Sequence, residues 1–258
     1  MSVQKVALVT AGASGIGRAI ARRLLSDGVA VHICDFNQEA IDECIGEMPT
    51  LTATCCDLSD SKEVEKLFQA FSALHKRLDI LVNNVGIAGP TAKVDQIEVA
   101  DWDKTIAVDL SASFYVTRLA TPMLRESRGT IVNISSNAAL FGFPLRSPYT
   151  AAKWALIGLT KTWAMELGPD GISVNAICPG SVKGDRIDGV IERDAAERGL
   201  EPKKIRDVYL RQSSLRIFVD AEDIAQTVKF LTSKAGRSIS GQALAVDGHT
   251  EGLSNWLD

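Results

Sequence analysis

The sequence contains little cysteine and little histidine, and neither residue type occurs in a metal-binding pattern. There are five cysteines, and no two of them form a C-x-x-C pair. An odd number without such pairs argues against both a disulfide framework and a thiolate metal site. The three histidines, His32, His75 and His249, are far apart and show no ligand spacing. We therefore expect reduced cysteines and no bound metal ion.

Positive charge is not in excess either. The chain has 28 lysines and arginines against 32 acidic residues, a net charge of −4. Such a balance gives no general attraction to phosphate backbones or anionic lipids, so nucleic acid is not an expected partner. No uncharged apolar run reaches the roughly 18 residues of a membrane span, and the N-terminal segment lacks the three regions of a signal peptide. We expect a cytoplasmic protein that does not bind membranes.

What the sequence does contain is a regular succession of short apolar runs. Its 258 residues, 46% of them hydrophobic and 23% charged, suit one compact domain over residues 1–258. Segments with helical spacing separate most of the runs, so the alternation predicts right-handed βαβ units and a mostly parallel sheet with helices on both faces, an α/β fold. The predicted strands lie at residues 6–9, 29–33, 51–55, 80–82, 130–134, 173–177 and 243–246.

One stretch, residues 183–216, interrupts this alternation. It is rich in charges of both signs and has no strand-like run. Two interpretations have equal weight. The stretch is either a lid over a substrate or a solvent-exposed helical excursion.

A glycine-rich loop follows the first predicted strand. It runs from Thr10 to Gly17 and precedes a helical segment. Glycines let the backbone approach a pyrophosphate closely, and free N–H groups at a helix N-terminus bind its negative charge. We therefore expect a dinucleotide here. The predicted contacts within the loop are Gly12, Ser14, Gly15, Ile16 and Gly17.

Asp35 indicates which dinucleotide is bound. It stands 20 residues after Gly15, at the end of the second strand, where a carboxylate accepts hydrogen bonds from both adenosine ribose hydroxyls and repels a 2′-phosphate. The next residue, Phe36, is not basic, and neither is Ser14. NAD is therefore favoured over NADP. Arg18 is the one nearby cation able to reach a phosphate, although its position in the first helical turn favours solvent.

Ser136, Tyr149 and Lys153 form a candidate catalytic set. Tyr149 and Lys153 are four residues apart at the head of an apolar helix and so share one helix face. A phenol is a poor base near neutral pH, but a neighbouring ammonium favours its phenolate form. The Ser136 hydroxyl can then hold a substrate oxygen while Tyr149 removes its proton and a hydride leaves for nicotinamide.

Together these motifs resemble the short-chain dehydrogenase/reductase superfamily over nearly the whole chain. The matching segments are the glycine loop, the sequence Asn-Asn-Val-Gly at residues 83–86, the Ser136, Tyr149 and Lys153 set, and Pro179-Gly180. The resemblance implies a Rossmann-type three-layer doubly wound sheet of about seven strands in the order 3-2-1-4-5-6-7, and a homotetramer or homodimer. Together with the resemblance, the positions of the motifs imply further cofactor contacts from Phe36, Asp57, Leu58, Asn83, Gly86, Tyr149, Lys153, Pro179, Gly180 and Val182.

Three positions depart from the family pattern. Asp109 stands where the family usually has an asparagine that supports a water chain from the lysine, and its carboxylate is a candidate partner for Lys153. We therefore include Asp109 in the catalytic set. If its main-chain carbonyl supports the water, aspartate is tolerated; if a side-chain amide is needed, the proton relay is altered. Ala11 replaces the first glycine of the loop, and Gly184 replaces a threonine near the nicotinamide amide.

The predicted activity is NAD-dependent interconversion of a secondary alcohol and a ketone. Arg146, Lys183 and Arg186 place up to three cations near the reacting centre, which favours a small polar substrate such as a sugar, a polyol or a hydroxy acid. The acidic residues Asp185 and Asp188 offset those cations. Two alternatives stay open, an NADPH-dependent ketone reductase and a dinucleotide-binding scaffold with little turnover.

Overall fold

A single parallel sheet of seven strands organises the computed structural model, which describes residues 3–253. The strand order is β3-β2-β1-β4-β5-β6-β7, and every neighbouring pair is parallel. The strands are β1 (Val6–Thr10), β2 (Ala30–Asp35), β3 (Thr52–Cys55), β4 (Ile80–Asn83), β5 (Thr130–Ile134), β6 (Ser173–Pro179) and β7 (Ala243–Val246). The predicted doubly wound α/β fold is confirmed, and each strand end lies within two residues of its predicted position.

The described residues also form nine α-helices, which cover both faces of the sheet. Local signals start several of them: Asn37 caps α2, Asp60 caps α3, and Asp220 and Asp223 form a capping box at α9. The helices are α1 (Gly15–Ser26), α2 (Gln38–Glu47), α3 (Ser61–Leu74), α4 (Val99–Ile106), α5 (Ala112–Ser127), α6 (Ser147–Leu167), α7 (Asp185–Arg198), α8 (Pro202–Arg211) and α9 (Ala221–Thr232).

Two apolar cores lie on opposite faces of the sheet. Ala7 and Val9 of β1 face helices α1, α2 and α9, whereas Leu8 faces helices α3, α5 and α6. The strands are therefore apolar on both sides, as expected for a sheet covered by helices. Fully buried side chains such as Leu8 and Phe71 each contribute about 1.5–3 kcal/mol through burial.

β1 lies inside the sheet between β2 and β4, and this placement locates the site. Leu8 pairs with His32 of β2 on one side and with Leu81 of β4 on the other. The chain order reverses between β1 and β4, and ligands of doubly wound sheets bind at the carboxyl ends of the strands at such a point. The loops that follow β1 and β4 are therefore expected to border the functional site.

Residues 183–216 contain the helices α7 and α8. Their apolar sides meet in a small third core that includes Val190, Ile191, Ile205 and Tyr209, together with Phe218. Both helices contribute side chains to the cavity described below. Residues 183–216 are therefore helical, as expected for a helical excursion, and they also border the cavity. Their function as a lid over a substrate stays a prediction.

His32 and His75 lie closer together than their sequence separation suggests. Their rings are 5.7 Å apart, and both contact the Thr52 hydroxyl, at 2.8 Å and 3.0 Å. Burial lowers the pKa of His32 to about 4, so this ring is neutral at physiological pH and acts as a hydrogen-bonding bridge between strands. Within residues 3–253, three or more metal-ligating side chains do not come together.

No helix in the part of the chain that the structure describes has both the length and the apolar character needed to cross a bilayer.

Candidate active site

A cavity of about 400 Å³ opens at the carboxyl end of the sheet. Loops after β1, β2, β4, β5 and β6 form its walls, together with residues of α7 and α8. It therefore joins the glycine loop to the candidate catalytic set. The predicted site residues on its walls are Ser14, Gly15, Ile16, Asp35, Phe36, Gly86, Ser136, Arg146, Tyr149, Lys153, Pro179, Gly180, Val182, Lys183 and Arg186.

The glycine loop leads directly into the N-terminus of α1. Ser14 precedes the helix without capping it through its side chain, and the first turn holds no acidic residue. Gly17 is required for packing, because a Cβ there would lie 2.1 Å from the carbonyl oxygen of Ala11. Gly15 faces the cavity, and a Cβ at Gly15 would meet no atom within 4 Å. Open space beside uncapped helix N–H groups fits the pyrophosphate of a dinucleotide.

Asp35 fastens this loop to the end of β2. One carboxylate oxygen accepts a hydrogen bond from the N–H of Ala13 and the other from the N–H of Asn37, both at 3.2 Å. The carboxylate is buried and lines the cavity beside Phe36, whose side chain is exposed. Arg18 forms an ion pair with Glu47 at 2.6 Å. Arg18, the one cation that the sequence offered for a 2′-phosphate, is therefore already paired with a carboxylate.

Ser136 and Tyr149 face the same cavity from different elements. Ser136 follows β5, and its hydroxyl accepts a hydrogen bond from the N–H of Ala138 at 3.1 Å and donates one to the side-chain oxygen of Asn137 at 3.3 Å. Tyr149 lies in the first turn of α6. The strand end and the helix start therefore hold two hydroxyl groups on one wall.

Lys153 lies one helical turn after Tyr149 and is almost fully buried. Its Nζ is 5.7 Å from the centre of the Tyr149 ring and donates a hydrogen bond to the carbonyl oxygen of Ile134 at 3.3 Å. A Cβ on Gly86 would lie only 3.1 Å from this Nζ. A side chain at residue 86 would therefore displace the ammonium next to the tyrosine by a few tenths of an ångström.

Asp109 lies behind Lys153 in a π-helical turn, residues Ala107–Ser111, between α4 and α5. One carboxylate oxygen accepts a hydrogen bond from the N–H of Ile87 at 2.6 Å, and the other is 3.9 Å from the Nζ of Lys153. Burial raises the pKa of Asp109, while the positive charge of Lys153 opposes this effect. The structure thus contains the pairing that the departure from asparagine suggested.

Five predicted cofactor residues lie away from the cavity walls. Gly12 packs on Ile33, Gly17 packs on Ala11, and Leu58 is part of the apolar core. Asp57 accepts hydrogen bonds from Ser59, and the Asn83 amide points inward to Thr117 and Asn133. Their roles in cofactor binding stay predictions.

The three predicted substrate cations differ in their surroundings. Lys183 is exposed and forms an ion pair with Asp220 at 2.9 Å. Arg186 is exposed and donates to the carbonyl oxygen of Gly86 at 2.9 Å. Arg146 is 3% exposed and lies over the Tyr149 ring, with 5.2 Å between its Cζ and the ring centre. Only the last of these three is buried beside the catalytic set.

Several residues on the walls were not predicted from the sequence. Asn84, adjacent to the predicted Asn83, donates to the carbonyl oxygens of Thr10 and Ala11 and borders the cavity. Phe143 and Tyr209 form an aromatic pair on the substrate side. The apolar side of α8 was the available signal for Tyr209, but it did not indicate what the helix packs against.

Comparison with known proteins gives a consistent result over most of the chain. A family model described as enoyl-(acyl carrier protein) reductase matches residues 10–250. A 3-oxoacyl-acyl-carrier-protein reductase of Thermotoga maritima is 33% identical over 249 residues, which cover 95% of this chain and 96% of the relative.

Two solved structures superpose closely on this chain. NAD⁺-bound xylitol dehydrogenase has a TM-score of 0.91 at 27% identity, with 95% of this chain and 98% of that chain covered. A variant of actinorhodin polyketide ketoreductase with NADPH also has a TM-score of 0.91, at 30% identity, with 99% and 100% covered. Structures with either nicotinamide dinucleotide therefore share this fold.

Proposed function

The chain belongs to the short-chain dehydrogenase/reductase superfamily, and from this premise we propose that it is an NAD-dependent oxidoreductase acting on a small polar hydroxy compound. The membership itself supports an enzyme that acts on CH–OH groups with a nicotinamide dinucleotide. The proposed part is the choice of NAD and of a sugar, polyol or hydroxy acid as the secondary alcohol.

The observation that carries the proposal is the continuity of the cavity. Asp35 lines it together with the glycine loop, and Ser136, Tyr149 and Lys153 line it as well. One extended molecule can therefore contact both ends, as a dinucleotide does in a doubly wound sheet. The buried carboxylate of Asp35, with no basic neighbour in Ser14 or Phe36, favours ribose hydroxyls over a 2′-phosphate.

The residues of the chain account for the proton chemistry. Ser136 donates a hydrogen bond to the substrate oxygen and orients it toward Tyr149, whose phenolate removes the hydroxyl proton. Lys153 stabilises that phenolate through its ammonium charge. When bound, NAD supplies the acceptor for the hydride that leaves the alcohol carbon. The alcohol is thereby oxidised to a ketone with loss of one hydride and one proton.

The test is NADH formation from a panel of secondary alcohols, followed by absorbance, with binding of NAD and NADP measured in parallel. We expect turnover with NAD and tighter binding of NAD than of NADP. Tighter NADP binding would support the alternative of an NADPH-dependent ketone reductase, which the likeness to a ketoreductase with NADPH favours. NAD binding without any turnover would instead indicate a scaffold.

Asp109 gives a prediction for the pH dependence. Burial raises the pKa of its carboxyl group, and once ionised the carboxylate offsets part of the charge of Lys153. Asp109→Asn removes this ionisation, so the part of the pH dependence of kcat/KM for alcohol oxidation that follows it on the acid side should be absent from the variant. The amide oxygen can still accept the hydrogen bond from Ile87, which limits structural damage.

A pH–rate profile of both enzymes checks this prediction. Asp103→Asn on the exposed side of α4 is the matched control and should leave the profile unchanged. An Asp109→Asn profile that coincides with that of the wild type would show that Asp109 does not act through Lys153.

Exposed apolar side chains on α6 support assembly into a homodimer or homotetramer. Trp163 is buried in the core, whereas Trp154 is 50% and Met165 81% exposed on the same helix. Large apolar groups on one helix face are typical of a subunit contact. We propose that α6 packs against a second copy of the chain.

A further inference from the structure

Arg146 is a buried cation whose hydrogen-bonding capacity is largely unused. The residue stands immediately before α6, and its Nη2 donates to the carbonyl oxygen of Ala88 at 2.6 Å. Its Nε and Nη1 have no hydrogen-bond partner among residues 3–253. A guanidinium carries five N–H donors, so most of them are available to a ligand.

Among the residues described, Arg146 has no acidic side chain within ion-pair distance. Within the described part of the chain, none of the ion pairs includes Arg146, and Asp109 interacts with it only at longer range. Burial lowers the pKa of its guanidinium; Tyr149 and Tyr209 oppose this effect, and the nearby Arg186 and Arg193 add to it. Arginine nevertheless stays protonated in proteins. A buried charge without a counterion is destabilising, so an anionic ligand would be stabilised here.

The acidic side chains that the structure describes around the cavity do not form ion pairs with Arg146. Asp109 binds Ile87 and faces Lys153, and Asp188 forms an ion pair with Arg206. Asp185 lies on the cavity wall at the start of α7, but it makes no ion pair with Arg146. The walls carry four cations, Arg146, Lys153, Lys183 and Arg186, against two acidic side chains, Asp35 and Asp185.

Arg146 is also close to the reacting group. Its Cζ lies 5.2 Å from the ring centre of Tyr149 and 5.5 Å from that of Phe143, and all three residues line the cavity. One small molecule can therefore place a hydroxyl at Tyr149 and an anionic group at the guanidinium.

We propose that Arg146 binds a singly charged oxyanion of the substrate, a carboxylate or a sulfonate, so that the enzyme acts on secondary hydroxy acids and their keto forms. This inference rests on the proposed function and narrows its substrate class. Arg146 is selected over Lys183 and Arg186 because it combines burial with unused donors. Hydrogen bonds to charged groups contribute about 1.5–3 kcal/mol, which corresponds to about 10- to 100-fold in kcat/KM.

The kinetic test compares acids with neutral alcohols of similar shape. The pairs are lactate with 1,2-propanediol, 3-hydroxybutyrate with 1,3-butanediol, and 2-hydroxypropanesulfonate with 2-butanol. In the wild type at least one acid should exceed its neutral partner in kcat/KM. Arg146→Met should lower the ratio of kcat/KM for that acid to kcat/KM for its neutral partner by about 10- to 100-fold, mainly through KM for the acid. Arg146→Lys should restore part of the loss.

The matched control is Arg206→Met. Arg206 also stacks on an aromatic ring, that of Phe218, at 5.5 Å, but it does not line the cavity. Its replacement should preserve the ratio of kcat/KM for the acid to kcat/KM for the neutral alcohol. An equal loss on acids and neutral alcohols in Arg146→Met would overturn the proposal, because it would indicate a purely structural role for Arg146.

A binding measurement separates this proposal from the proposed function. Propionate and ethanesulfonate should raise the thermal unfolding midpoint of the wild type with NADH, and neither should do so in Arg146→Met; propanamide is the neutral control. If these ions bind through Arg146 but no alcohol is oxidised, the oxyanion site stands and the proposed function fails. If neutral alcohols are oxidised and the ions do not bind, the oxyanion site alone fails.

Discussion

Replacement of Tyr149 by phenylalanine will lower kcat by about 10³-fold, because the change removes the group that carries the substrate proton. The ring itself is retained, so its contacts with Arg146 and Lys153 are conserved in kind. Binding of the dinucleotide should change by no more than about threefold, since the rest of the cavity wall is intact. The measurement is steady-state turnover of the best alcohol, together with the dissociation constant for NAD.

Tyr115→Phe provides the matched control for this experiment. Tyr115 lies on α5, packs against the apolar core and is not on the cavity wall, so the same chemical change there should leave kcat within about twofold of the wild type. Turnover by Tyr149→Phe at the wild-type rate would exclude the proposed proton carrier. The scaffold alternative would then gain weight if wild-type turnover is also negligible.

A change at the end of β2 should reverse the cofactor preference. In the double variant Asp35→Asn and Phe36→Arg, the carboxylate that repels a 2′-phosphate is lost and a cation is gained. Like-charge repulsion and a charged hydrogen bond are each worth a few kcal/mol, so the ratio of kcat/KM for NADP to that for NAD should rise by about 10³-fold. The amide oxygen of asparagine can still accept a hydrogen bond from Ala13 or Asn37, which helps to keep the loop in place.

The single variants separate the two contributions. Asp35→Asn should raise kcat/KM for NADP mainly by removing the repulsion between the carboxylate and the 2′-phosphate. Phe36→Arg alone should raise kcat/KM for NADP by a smaller factor, because the carboxylate is still present. Asp42→Asn on the exposed surface of α2 changes the net charge by the same amount as either single variant. It should leave the ratio of kcat/KM for NADP to that for NAD unaltered. A ratio unchanged in the double variant would mean that Asp35 does not contact the ribose.

The fold was largely predictable because its signals are local. Each strand is a short apolar run between turn residues, and helices such as α3 carry apolar residues at regular spacing, as Val64, Leu67 and Phe71 do. Burial on both faces of a parallel sheet produces such runs directly. The strand order came from the family resemblance, since the runs themselves contain no information about which strands are neighbours.

The site was predictable only where a motif fixes the position of a residue. Ser14, Asp35, Tyr149 and Lys153 line the cavity because strand ends and a helix start determine where they point. By contrast, Asn83 is the last residue of β4 and Asn84 is the first residue of the loop that follows. The sequence alone did not indicate that Asn84 would border the cavity while Asn83 is turned into the interior, because the position of Asn84 depends on contacts with the distant Thr10 and Ala11.

Contacts between distant segments were also outside the reach of sequence reasoning. Tyr209 lies 60 residues after Tyr149 and meets Phe143 only because α7 and α8 fold over the cavity. The state of Arg146 is a further example, since the residue type is visible in the sequence but its burial and unused donors are not.

The π-helical turn at Ala107–Ser111 has a consequence for how the length of this region can vary in evolution. The N–H of Ala112 bonds to the carbonyl oxygen of Ala107, five residues back, so the turn holds one residue more than an α-helical turn. Deleting one residue would restore an ordinary α-helical turn with little change in the relative phase of α4 and α5, but it would move the side chains of the turn itself, including Asp109, relative to Lys153. Homologous sequences that keep a carboxylate against this lysine should therefore also keep the extra residue of the turn.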